Sequence, residues 1–260
     1  MSKIALGIEY CGCHYQGWQR QQSGLNIQGH IEQALSIVAD TPIEIVCAGR
    51  TDAGVHALEQ VAHFETTVVR DERSWVLGTN THLPRDIRIQ WARIMPDDFH
   101  ARFSAVARSY CYLLSNSSIR PGVFSEHMAW DFKRLQLEPM RQALPHLLGE
   151  HDFSAFRGTD CQAKTTVRTL QDFSIDQRGQ LFIFTVKANA FLYHMVRNLV
   201  GTLLKIGQGE RSPEWIRTVL ESKVRTQAGM TAPAEGLYFM QACYPDRFIL
   251  PQSTPLFFFG

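Results

Sequence analysis

The chain has 260 residues, enough for one large domain or two modest ones at roughly 100–200 residues each. Its apolar and charged shares, 45% and 20%, are those of an ordinary globular protein, and a formal net charge of +1 excludes a sequence-wide basic tail. Nucleic-acid binding would therefore have to come from a local patch. No run approaches the roughly 18 apolar residues of a membrane-spanning helix, and the first ten residues lack the apolar core of a signal peptide. Six cysteines stand at 11, 13, 47, 111, 161 and 243, mostly within apolar runs. Cys11-Gly12-Cys13-His14 has the look of half a metal clip, but no second Cys/His pair follows at finger spacing. Reduced thiols in a cytoplasmic protein, with no metal and no membrane partner, are the expectation.

In chain order, Ile4, Leu6, Ile8 and Tyr10 alternate and predict a strand with one buried face. Cys11–Leu25 is a polar loop. Asn26 caps a helix through about Ala39, with Ile27, Ile31, Leu35 and Val38 on one side. A strand–loop–strand unit follows, from Ile43–Ala48 to Val61–Phe64. Arg73–Thr81 predicts a helix that Pro84 stops, and Ile87, Ile89 and Trp91 alternate as a strand. Ala107–Leu114 alternates too, with Tyr110, Tyr112 and Leu114 on one side. Leu135–Leu148 is helical, shortened or kinked by Pro139 and Pro145. Val167–Ile175 and Leu181–Lys187 flank a hairpin turn at Asp176–Gly179. Phe191–Ile206 carries a broad apolar face, with Tyr193, Arg197 and Gly201 on a second stripe at intervals of four. Ser212-Pro213-Glu214 opens a further helix, and Leu237–Tyr244 closes the chain as a strand. Strands and helices mix without steady β-α alternation, so the fold class is α+β with mainly antiparallel sheet and helices packed on its faces. A change of half near residue 105 divides the chain into 1–105 and 106–260.

The densest chemistry lies in Gly49-Arg50-Thr51-Asp52-Ala53-Gly54-Val55-His56-Ala57, a glycine-shouldered loop between two strands. Glycine admits backbone angles that side chains forbid, so such a loop can press close to a ligand. An Asp in such a place commonly bonds the backbone of its own turn. Here Arg50 stands beside it and His56 follows. Val-His after Gly54 rules out a phosphate loop. A lone Asp also fails to supply the paired carboxylates of most glycosidases. A single carboxylate kept ionised by an arginine can attack covalently or take a proton. Basic residues also gather in 187–225 (Lys187, Arg197, Lys205, Arg211, Arg217, Lys223 and Arg225), where a solvated helix face is at least as good a reading as RNA contact. His56, His63 and His151-Asp152 read as packed or hydrogen-bonded structural groups.

Gly49–Ala57 resembles the signature loop of the TruA family of tRNA pseudouridine synthases. Tyr10–Gln22, Phe99–Phe103, Arg108–Tyr112, Gly149–Phe153, Phe191–Gly201 and Ala232-Pro233 with Gly236-Leu237 resemble further family motifs, in order, along nearly the whole chain. Cys11 and Cys13 depart from it, standing where Asp and Ser or Thr are more usual, as does Thr81-His82. The resemblance implies two α+β halves with a cleft between them, a homodimer, and uridine-to-pseudouridine isomerisation at positions 38, 39 and 40 of the tRNA anticodon stem-loop. It implies Asp52 as nucleophile and Arg197 as its partner. Tyr110 and Leu237 would lie against the uracil, Arg50 would extrude the nucleotide or hold its phosphate, and Arg102 and Arg70 would contact phosphates. No redox change or external group enters the reaction, so no cofactor is expected. Two other classes remain on the residues alone: a non-catalytic RNA-binding protein, and a nucleoside or glycoside hydrolase, which would need a second carboxylate.

Overall fold

The structure, a computed structural model, describes residues 1–21 and 25–251. Gln22, Ser23 and Gly24 of the expected loop Cys11–Leu25 lie outside the described residues. The chain divides into two compact units. The first is Met1–Val106 together with residues 239–251, and the second is Ala107–Tyr238. The sequence halves 1–105 and 106–260 differ from this at the C-terminal end. There Val106 N donates to Cys243 O at 2.8 Å, Tyr244 Oη donates to Ala101 O at 2.7 Å, and the rings of Tyr244 and Phe248 lie 5.3 and 5.2 Å from that of Phe99. Such long-range contacts leave no trace in local periodicity.

In the first unit, β1 (Ser2–Tyr10) runs antiparallel between β3 (His56–Thr66) and β4 (Ile87–Met95), and β2 (Val46–Cys47) pairs with β3. The single buried face expected for β1 is a correction, because Ile4 through Ile8 are all buried. Ala5 and Gly7 form the second face, and the indole of Trp91 lies so close over Gly7 that a Cβ there would meet it at 2.1 Å. Asn26 caps α1 (Ile27–Ala39) by accepting from Gly29 N at 2.8 Å. Asp71 caps α2 (Glu72–His82) by accepting from Ser74 N at 2.6 Å.

In the second unit, β5 (Ala107–Asn116), β9 (Leu181–Ala188), β8 (Val167–Arg178) and β7 (Gly149–Asp152) pair antiparallel in that order, while β6 (Ala129–Asp131) runs parallel to β5. The β8–β9 turn is tighter than Asp176–Gly179. The strands pair up to Arg178 and Leu181, with Gly179 at φ 59° between them. The helix expected over Leu135–Leu148 is α3 (Leu137–Ala143) followed by a 3₁₀ turn, Leu144–Leu147, that contains Pro145. After α4 (Met195–Gly207) and α5 (Trp215–Ser222), the chain enters β10 (Leu237–Cys243). The fold is thus α+β with mainly antiparallel pairing.

The start of α4 departs from expectation. Phe191–His194 is not helical: His194 sits at φ 61°, Gly158 N donates to Tyr193 O at 2.8 Å, and the Tyr193 and His194 rings stack at 3.8 Å. The left-handed residue interrupts a run whose apolar periodicity continues straight through it. Tyr193 therefore leaves the Arg197–Gly201 stripe, and Arg197 becomes a first-turn residue.

Candidate active site

In the first unit Asp52 stands half-buried at the tip of the β2–β3 loop, with Arg50 exposed and Thr51 buried on either side of the approach to it. Asp52 O accepts from Val55 N at 3.2 Å, closing a turn that Gly54 completes at φ 77°.

What fixes the loop is the segment just after β1. Tyr10 Oη and Thr51 Oγ1 share a buried hydrogen bond of 2.7 Å, and Trp18 N donates to Thr51 O at 3.0 Å. Gly12 N donates to His56 Nδ1 at 3.2 Å, and Gly54 N to Tyr15 O at 3.4 Å. The two backbones touch: a Cβ on Gly12 would meet Val55 O at 2.1 Å, and one on Gly17, itself at φ 95°, would meet Thr51 O at 2.7 Å. From below, Gln60 Nε2 donates to Gly49 O at 2.6 Å. His56 is therefore a structural acceptor, as expected. Tyr10, Gly12, Gly17 and Trp18 are the residues to which sequence reasoning assigned no role. Their signal was present in the Tyr10–Gln22 motif, but their target, forty residues away, was not.

Other first-unit groups fall into place around this loop. Cys47 is buried beneath it, and burial pushes its thiol up to about 12, opposed in part by the charges of Arg50 and then Arg102. Arg102 and Arg70 are both exposed, Arg70 in the segment between β3 and α2. The Cys11 and Cys13 sulfurs lie 3.0 Å apart, and none of the six cysteines is in a disulfide.

In the second unit, Tyr110 projects from β5, buried edge-on against Phe191 at 4.9 Å. Arg197 occupies the first turn of α4, where a cation opposes the helix dipole by a few tenths of a kcal/mol to about 1 kcal/mol. Its Nε donates to Ala232 O at 2.7 Å, and Ala232 N donates back to Arg197 O at 3.1 Å. The next residue is held from β5, since Tyr112 Oη donates to Pro233 O at 2.9 Å. Gly236 then lies against β5, where a Cβ would sit 2.7 Å from Leu113 O, and delivers buried Leu237 to the start of β10. One strap, 229–237, thus connects Arg197 to Leu237.

Arg225 holds that strap and is not a surface cation. Its guanidinium donates to Gly229 O, Asn198 Oδ1 and Thr231 Oγ1 at 2.9, 2.9 and 3.0 Å. Other members of the basic stretch are matched by acids: Lys205 with Glu210, Arg217 with Glu221 and Lys223 with Asp152. The solvated-face reading of 187–225 accounts for these pairs. His151 and Asp152 are bonded to Leu148 O and to Ser154, again structural.

An α+β chain with mainly antiparallel sheet and a single carboxylate on a rigidly held glycine loop has the make-up of a pseudouridine synthase. The family described as tRNA pseudouridine synthase matches residues 7–104 and 143–245. The tRNA pseudouridine synthase A of Pseudoalteromonas atlantica is 49% identical over 257 residues, covering 98% of both chains. The protein of that name from Vibrio parahaemolyticus is 49% identical over 249 residues, 96% of this chain and 94% of its own. That from Hydrogenovibrio crunogenus is 48% identical over 252 residues, 97% and 96% of the two chains. The chain belongs to the tRNA pseudouridine synthase family, and is an isomerase.

Proposed function

We propose that this protein converts uridine to pseudouridine at positions 38, 39 and 40 in the anticodon stem-loop of tRNA, as a cytoplasmic homodimer, with Asp52 as nucleophile. The observation that carries the catalytic assignment is the grip on the Asp52 loop: Thr51 and His56, on either side of Asp52, are bonded to Tyr10, Trp18 and Gly12, so the backbone that carries the carboxylate is fixed before substrate arrives. Family membership and the order of the motifs support the substrate, and the resemblance supports the dimer. No helix among the described residues is long and apolar enough to cross a membrane.

The reaction breaks the N1–C1′ bond of a uridine, turns the base and forms C5–C1′. The C5 proton is lost to solvent and N1 ends as N–H, so atoms balance without a co-reactant. Asp52 supplies the carboxylate, which either adds to C6 of the base or acts at C1′. Arg197 is its counter-charge, keeping it ionised. A cation kept in the first turn of α4 against the helix dipole, with Nε anchored on Ala232 O, supports that role. Tyr110 stacks on the flipped base and Leu237 packs against it. Arg50 takes the extruded nucleotide, and Arg102 and Arg70 bind phosphates.

The test is tritium release from C5-labelled uridine in tRNA. Asp52→Asn should lower it by about a thousandfold or more, the scale of losing a covalent catalyst. Unchanged release would remove Asp52 from the mechanism. Free uracil among the products would favour a hydrolase, and binding without release by the wild-type protein would favour a non-catalytic RNA binder.

A further inference from the structure

A solitary exposed phenylalanine needs no explanation. Phe103, 75% exposed in the first unit, differs because its surroundings are built to hold it there. Residues 100–104 close on themselves: Ser104 N donates to His100 O at 2.9 Å and His100 N to Ser104 Oγ at 3.0 Å. Arg102 N and Phe103 N both donate to His100 Nδ1, each at 3.2 Å, which locks the imidazole. The locked imidazole lies alongside the Phe103 ring, with centroids 4.3 Å apart and planes 30° from parallel. His100 in turn rests on His63, ring to ring at 4.8 Å, and His63 Nδ1 accepts from Ala101 N at 3.2 Å. The aromatic ring is thus mounted on a chain of fixed groups reaching into the core, so little rotamer freedom remains to be lost on binding.

Charge defines what the ring faces. The Arg102 guanidinium lies 5.6 Å from the Phe103 centroid. Arg102 and Arg50 are both exposed, and both act on the Cys47 thiol beneath the Asp52 loop. A ring seated on His100 with the Arg102 guanidinium against it is complementary to a nucleotide, with stacking for the base and a cation for the phosphate. A second protein copy would require a contiguous apolar patch, whereas within this turn Phe103 is flanked by Arg102 and Ser104 and seated on His100.

We propose that Phe103 is a stacking platform for an unpaired base of the bound tRNA, mounted on His100 and flanked by Arg102. This rests on the tRNA substrate proposed above. The experiment measures tRNA affinity of full-length protein in an Asp52→Asn background, so that binding is read apart from turnover. Phe103→Ala should weaken binding about 5- to 150-fold, the scale of losing one stacked base, while Phe103→Trp retains it. The slope of log affinity against log salt should be unchanged by Phe103→Ala and reduced by about 1 in Arg102→Ala, because only the arginine displaces counterions. Wild-type affinity in Phe103→Ala would overturn the platform. So would a monomeric Phe103→Ala protein in sedimentation velocity, which would assign the ring to a contact between copies. A wrong catalytic assignment would appear separately, as tritium release by Asp52→Asn.

Discussion

Thr51 and Asp52 occupy adjacent positions and opposite environments: the threonine side chain is bonded inward to Tyr10 Oη, while the aspartate is only half-buried. One peptide joins the two, so anchoring Thr51 limits how far the backbone of Asp52 can move. Tyr10→Phe tests this. It leaves the buried Thr51 hydroxyl without that partner, at a cost of about 1–3 kcal/mol. Lower stability in urea, together with a fall in kcat at little-changed KM, is the expected result. An unaltered kcat would show that the hydrogen bond holds the fold but not the carboxylate. The same contact marks the boundary of sequence reasoning at this scale. Asp52, Arg50 and their loop are legible because their unusual residues are contiguous. Tyr10 and Trp18 read only as part of a motif without a role, because what they hold is forty residues distant in the chain.

α4 and the strap 229–237 show the same division between elements. Met230 O lies so close to Gly201 that a Cβ there would stand 1.7 Å away, and Gly229 N donates to Thr202 Oγ1 at 2.9 Å. Gly201→Ala must therefore push the strap off the helix, and Ala232 O, which anchors Arg197 Nε, moves with it. A loss of about 1–3 kcal/mol in stability is expected from such overpacking. Activity should fall further than the residual folded fraction accounts for. Thermal unfolding and tritium release measured on the same preparation separate the two. Activity that only tracked the folded fraction would show that the strap does not position Arg197. The helix itself was legible from its apolar face, although its first turn was not. His194 in the left-handed region stops the helix at Met195, and that conformation is set by Gly158 and the Tyr193 stack.

For the molecule as a whole, a net charge of +1 leaves stability to be governed by individual titrating groups. His63 is pushed down to about 4, chiefly by burial, then by His100 and Lys3. Its ordinary value is 6.5, so the folded protein prefers the neutral ring. The resulting stability is fully present above about pH 6.5 and is lost as pH falls toward 4. The unfolding free energy from urea titration should decline over that window by on the order of 2 kcal/mol more in the wild type than in His63→Gln. Parallel curves for the two proteins would remove His63 as the cause.

Local pattern determined most of the elements, the α+β class and the Asp52 loop, because period, caps and turn residues act between near neighbours. Only tertiary structure decided that β1 is covered on both faces, that Arg225 is an internal clamp, that residues 239–251 belong with the first unit, and that Phe103 is mounted on His100. Each depends on groups brought together by packing, and packing energy is indifferent to distance along the chain.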